Sequence, residues 1–176
     1  MAHLRRPPLH SRLPFFYGWV ILPVATLAMF ISGPGQTYSF SIFVDPMRDE
    51  LGMSRTAFAG LYTAGSLTAA VALVLVGRLL DWLGARVLLT AVGIFFGLGA
   101  FWMSTVSNQG ELYVGITVMR LLGQGALSLI PTALVAIWFV RWRGRVMAIA
   151  SLGSAVSQSV FPLLLVLLLS HLGWRD

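Results

Sequence analysis

Gly77-Arg78-Leu79-Leu80-Asp81-Trp82-Leu83-Gly84-Ala85-Arg86 is a short charged stretch set between two long apolar runs, residues 56–80 and 87–106. Each run reaches about 20 residues, enough to cross the hydrocarbon core of a bilayer as a helix. The ten residues therefore read as a tight turn at a membrane surface. Glycines there let two helix ends approach. Asp81 can accept hydrogen bonds from helix N-terminal amides or from an arginine. Two uses fit: a latch between helix bundles, or a plain charged turn.

Working outward, three more apolar runs appear, near residues 15–44, 112–139 and 146–169. The fold class this predicts is all-α transmembrane, with five membrane-spanning helices. Between them lie short polar connectors at 45–55, 81–86, 107–111 and 141–145. The first run is too long for one perpendicular span at 1.5 Å per residue. Gly33-Pro34-Gly35 interrupts it, which predicts a kinked or tilted helix.

Composition agrees. Of 176 residues, 57% are hydrophobic and only 10% charged, and the mean hydropathy is +0.84. A soluble domain carries roughly 25% charged residues to wet its surface. The lipid bilayer is therefore the main partner of this surface. The net charge of +6 and a pI near 11.1 raise nucleic acid as a partner. Yet the cations are all arginines lying in the gaps between apolar runs, so they read as topology signals and not as a phosphate-binding face. Without cysteine, disulfides, thiol catalysis and thiolate metal sites are excluded. No metal site and no cofactor is expected.

Charge placement sets the expected orientation. Arg5, Arg6, Arg12, Arg78, Arg86, Arg141, Arg143 and Arg145 fall on one side with a single acid, Asp81. Arg48, Arg55 and Arg175 fall on the other with Asp45, Asp49, Glu50, Glu111 and Asp176. Arginine-rich short loops stay in the cytoplasm. Residues 1–14 are then a cytoplasmic tail of a multi-pass protein in the cell (inner or plasma) membrane. Arg5, Arg6 and Arg12 before an apolar run also suit a signal peptide. That run exceeds the usual length and lacks a small-residue cleavage site, which favours a retained first helix.

Arg120 is the one charge deep inside a span, whereas Arg78 sits at the very end of its run. Nine residues after Glu111, it lies about 14 Å down the helix, near the bilayer midplane. Its burial there costs at least about 2.5–3.5 kcal/mol and usually marks an aqueous cavity or a substrate path. Thr117, Arg120, Gln124 and Ser128 recur at steps of three and four, forming one polar stripe. The alternative is an arginine held by helix carbonyls for packing alone. No acid lies in any span, so an anionic substrate or an acid outside this chain would complete Arg120. Weaker polar groups are Gln36, Tyr38, Ser39 and Ser41 after the Gly-Pro-Gly break, and Ser151, Ser154 and Gln158 on the fifth span. They either line a cavity or pack helices. Gly93 and Gly97 form a GxxxG that reads as close helix packing.

The 77–86 turn resembles the signature of the major facilitator superfamily between helices two and three, Gly-x-Leu-x-Asp-Arg-x-Gly-x-Arg. Gly77, Leu79, Asp81, Gly84 and Arg86 match, while Trp82 stands where a basic residue is usual. Arg120-Leu121-Leu122-Gly123-Gln124-Gly125 resembles the family's fourth-helix pattern, and Gly173-Trp174-Arg175 its outer turn before helix six. The fifth span lacks the Gly-Pro-x-x-Gly-Gly cluster of drug/proton antiporters. Phe16-Tyr17-Gly18-Trp19-Val20 and Trp138-Phe139-Val140-Arg141-Trp142-Arg143 resemble the monocarboxylate porter and oxalate/formate antiporter branch, with Trp142 departing from a frequent basic residue.

That resemblance implies a fragment. Residues 15–176 would be helices 1–5 of an N-terminal six-helix half, truncated before helix six, with a C-terminal half missing. It also implies secondary transport of a small organic anion, a monocarboxylate, by alternating access around a midplane site. A coupling proton or counter-anion would be a further partner. Arg120, Gln124, Gln36, Tyr38, Ser154 and Gln158 would bind substrate. Gly77, Arg78, Asp81, Gly84 and Arg86 would form a cytoplasmic gate, with Arg141, Arg143 and Arg145 in the helix 4–5 loop. An enzyme is not expected, since His3, His10 and His171 lie outside the spans and leave no buried base. A non-transporting membrane subunit remains a second class.

Overall fold

The computed structural model describes residues 16–171, and every regular element among them is helical. The 1–14 tail and the Gly173-Trp174-Arg175 turn lie outside the described residues.

The first crossing is two helices, α1 (Gly18–Ile31) and α2 (Thr37–Glu50), of 14 residues each. Each is about 21 Å long, short of the roughly 30 Å hydrocarbon core. Only together do they cross. This corrects the single kinked helix expected from the sequence. Gly33–Gly35 forms a 3-10 turn and Gln36 is fully extended, with φ −83° and ψ 156°. Pro34 has no N–H to donate and two glycines flank it, so the helical ladder stops there.

Four further segments are long and apolar enough to cross a membrane. They are α3 (Arg55–Leu83), α4 (Ala85–Met103), the segment Gln109–Trp138, and α7 (Arg143–His171). Gln109–Trp138 is subdivided into α5 (Gln109–Met119), a π-helical stretch Arg120–Ala126, and α6 (Leu127–Trp138). Capping fixes two starts. Ser54 Oγ accepts from the Ala57 N–H at 3.1 Å. Asn108 Oδ1 accepts from the Glu111 N–H at 2.9 Å, while the Glu111 carboxylate reaches back to the Ser107 N–H at 2.8 Å. Such caps contribute about 1 kcal/mol each.

The connector expected at 81–86 shrinks to one residue. Asp81 is still in α3 and Arg86 is already in α4, leaving Gly84 alone as the corner. Its φ of 76° and ψ of 156° lie in a region open essentially to glycine only. Likewise Arg143 and Arg145 belong to the first turn of α7 and not to a loop.

The apolar core has two parts. Phe58, Phe96, Leu112, Ile116 and Ile130 belong to a cluster that ties α2 to α6 together. Leu22, Ala25, Met29, Val135, Val146 and Ala150 join α1, α6 and α7. The outward faces remain apolar: Val71 is 74% exposed and Phe101 75%, surface that only lipid or another apolar partner can cover. Gly93 and Gly97 are on such a face. A Cβ at either would meet nothing within 4 Å, so the expected close packing of this GxxxG does not occur among the described residues.

Candidate functional site

Where the broken first crossing meets the π-helical stretch, backbone touches backbone. A Cβ on Gly35 would sit 2.7 Å from the Gly123 Cα and 2.7 Å from the Met119 carbonyl oxygen. Helix widening is cheap at this point because Gly123 and Gly125 impose little side-chain crowding, and π-bulges are frequent at functional sites. Pro131, one turn beyond Leu127, removes another ladder bond just downstream.

Arg120 opens the π-helical stretch and turns toward this junction. Its guanidinium donates to Thr37 Oγ1 at 2.8 Å and to Gln124 Oε1. It also lies over the Tyr62 ring, 5.1 Å from the centroid, and Tyr62 stacks on Phe40 at 5.3 Å. Gln36 Nε2 donates to Ser32 Oγ at 3.1 Å and makes a long contact to Ser128 Oγ at 3.5 Å. Three elements thus converge on one half-buried cation. Hydrogen bonds to a charged group contribute about 1.5–3 kcal/mol each, and the ring about 0.5–2 kcal/mol. Together these offset the cost of holding arginine at this depth. All of these partners are neutral, however, and no ion pair reaches Arg120 among the described residues. The positive charge is oriented but not neutralised. Nearby on α3, the buried hydroxyls of Tyr62 and Ser66 have no hydrogen-bond partner.

Of the residues singled out from the sequence, Gln36 instead turns to Ser32 and Ser128, whereas Arg120 and Gln124 come together here. Thr117 does not, because its hydroxyl donates to its own helix at the Tyr113 carbonyl. Tyr38 points elsewhere, with its hydroxyl 2.7 Å from Ser157 Oγ. Ser157 in turn donates to the Phe30 carbonyl at 2.9 Å, so the proton between the two hydroxyls comes from Tyr38. This pair satisfies a carbonyl at the helix break and fastens α7 to it. Ser154 donates to the Ser151 carbonyl of its own helix, and nothing joins Ser154 or Gln158 to Arg120 among the described residues. Sequence reasoning missed Thr37, Tyr62 and Ser157. Ser157 carried a signal, being four residues from both Gly153 and Phe161, a row that packs on α1 and the break.

Where α2 meets α3, Arg48 binds Asp49 at 2.6 Å and Asp45 at 3.7 Å, while Arg55 reaches Asp45 at 3.5 Å. Only the Arg55–Asp45 contact links α2 to α3; the two made by Arg48 lie within α2. A groove of about 430 Å³ runs inward from that link past Val44 and Phe40 to Thr37 and Tyr62.

At the opposite end, Gly77, Arg78, Asp81, Gly84 and Arg86 make no ion pair with one another. A Cβ at Gly77 or Gly84 would meet nothing within 4 Å among the described residues.

Described residues whose regular elements are all helical, with apolar faces outward and an unpaired arginine within one long apolar segment, define a multi-pass membrane protein. It belongs to the major facilitator superfamily, whose family model matches residues 25–175. It is similar to a probable L-galactonate transporter of Escherichia coli (strain K12), with 28% identity over 138 residues, 78% of this chain and 30% of the relative. It is also similar to the MFS transporter asaE of Aspergillus flavus, with 32% identity over 101 residues, 57% of this chain and 23% of the relative. The matches therefore cover less than a third of either relative's length. No solved structure matches the chain.

Proposed function

We propose that this chain provides helices 1–5 of a secondary transporter for a small organic anion, working by alternating access in the cell membrane with the arginine-rich end cytoplasmic. The superfamily and the transporter names of both relatives support transport over enzymatic chemistry. One observation carries the substrate class: a guanidinium at mid-depth whose partners are all neutral. A carboxylate completes that arrangement with charge-assisted, bidentate hydrogen bonds.

The substrate we favour is a monocarboxylate that also bears hydroxyls. Thr37 and Gln124 meet the cation with a hydroxyl and an amide, and the buried Tyr62 and Ser66 hydroxyls on α3 have no partner of their own. L-galactonate, in the name of one relative, has this chemistry. Tyr38, Ser154 and Gln158, which do not reach Arg120 in this conformation, would line the α7 side of the substrate path. At the other end, Arg78, Asp81 and Arg86 are exposed, and Gly77 and Gly84 leave room beside them. A second helical half would dock there and latch one closed state.

The test is uptake by the intact transporter that carries these residues. Arg120→Ala is expected to reduce apparent affinity by about ten- to a hundredfold, the range for a lost charged hydrogen bond, with membrane insertion unchanged. Arg120→Lys keeps the charge and loses the bidentate geometry, so it is expected to fall between the two. Undiminished uptake by the alanine variant would remove Arg120 from the site.

A further inference from the structure

Two aromatic stretches far apart in sequence meet at one end of the bundle. Phe16 packs edge-on against Phe139, with ring centroids 5.3 Å apart, Tyr17 lies 5.4 Å from Trp138, and Trp19 5.8 Å from Phe139. The start of α1 and the end of α6 are thus level. The Gly84 corner is at the same end, because α4 runs antiparallel to the α5–α6 crossing: Met103 packs at Gly115 and Phe96 at Gly123.

Directly after this aromatic band comes the turn carrying Arg141, Arg143 and Arg145, all exposed. Arg145 is over the Trp142 ring, 5.3 Å from its centroid. No ion pair reaches these arginines among the described residues. Two of them sit in the first turn of α7, where the helix dipole already disfavours positive charge. The same turn exposes Val140 at 83% and Trp142 at 57%. Apolar and aromatic side chains projecting at a helix end, beside cations, fit the depth where headgroups meet acyl chains.

We infer that this turn is a docking surface for anionic phospholipid headgroups. The phosphate is held by Arg141, Arg143 and the Arg145 guanidinium stacked on Trp142, and the acyl chains run along Val140 and the aromatic band. Stacking occupies the face of the Arg145 guanidinium and leaves its N–H edge free for phosphate oxygens. Charge complementarity selects lipid here: the surface is membrane-level, cationic and partly apolar, whereas a protein partner would have to bring several carboxylates to the bilayer interface.

The purified full chain can be reconstituted into phosphatidylcholine vesicles containing a minority of brominated phosphatidylglycerol or, in parallel, brominated phosphatidylcholine. Bromine quenches only nearby tryptophan. Phosphatidylglycerol is expected to quench in excess of phosphatidylcholine, with about fivefold enrichment for each arginine engaged, and high salt is expected to shrink the excess. Trp142→Phe should lower the excess, the remainder being read by Trp19 and Trp138 of the aromatic band, and Arg143→Gln with Arg145→Gln should weaken it. If that double variant fails to insert, the unmodified chain and Trp142→Phe still decide the matter. Equal quenching by the two lipids would overturn the inference, as expected if carboxylates of a protein partner cover the arginines. An excess that survives Trp142→Phe undiminished would overturn it as well.

Discussion

The helix break at Gly33–Gly35 and the corner at Gly84 both depend on glycine, yet for opposite reasons. At the break, glycine is required by its neighbours. A Cβ on Gly123 would lie 2.7 Å from the Gly35 Cα, and one on Gly33 would strike Phe161 and Ser157. At the corner there are no such neighbours. A Cβ on Gly84 meets open space, and only the φ of 76° selects against it. One site is specified by packing across three crossings, the other by two backbone angles. Interior close approach and surface turn geometry are separate demands that look identical as a letter in the sequence.

That contrast is open to direct attack. Gly123→Val should be the most damaging change, since backbone on the facing segment cannot yield to a branched side chain; we expect a loss of about 3 kcal/mol or more, read as a lower thermal midpoint in detergent. Gly84→Ala should cost about 1–3 kcal/mol from conformation alone. Asn, which tolerates the ordinary left-handed region, should not rescue it, because ψ is 156°. A neutral Gly84→Ala would show that the corner relaxes without strain. Gly97→Ala should have the smallest effect and the opposite sign, raising helix stability by up to about 1 kcal/mol. A destabilised Gly97→Ala protein would reveal a packing partner on that face of α4.

Much of the fold was legible because bilayer thickness filters sequence by a simple length rule. Five apolar runs and the arginines between them marked the crossings, and family membership agrees with the turn motif at 77–86. Arg120 was legible for the same reason, as a lone charge in an apolar run. The hydrogen-bond register inside the run was not. Nothing in the spacing of Arg120, Gln124 and Ser128 distinguishes an α-helix from the π-helical stretch that holds the first two, because side-chain periodicity reports a face and not the ladder beneath it. Tyr62 was passed over since an aromatic in a span reads as lipid-facing until Arg120 is seen above its ring. Gln158 was named with Ser151 and Ser154 as a polar group on the fifth span, although it is Ser157 that faces α1.

The one-residue corner also limits how the molecule can move. Adjacent Cα atoms stay about 3.8 Å apart across a trans peptide, so the last residue of α3 and the first of α4 cannot separate by more than the span of Gly84. At that end, any change in the angle between the two helices must therefore be taken up by the torsions of Gly84 and its immediate neighbours.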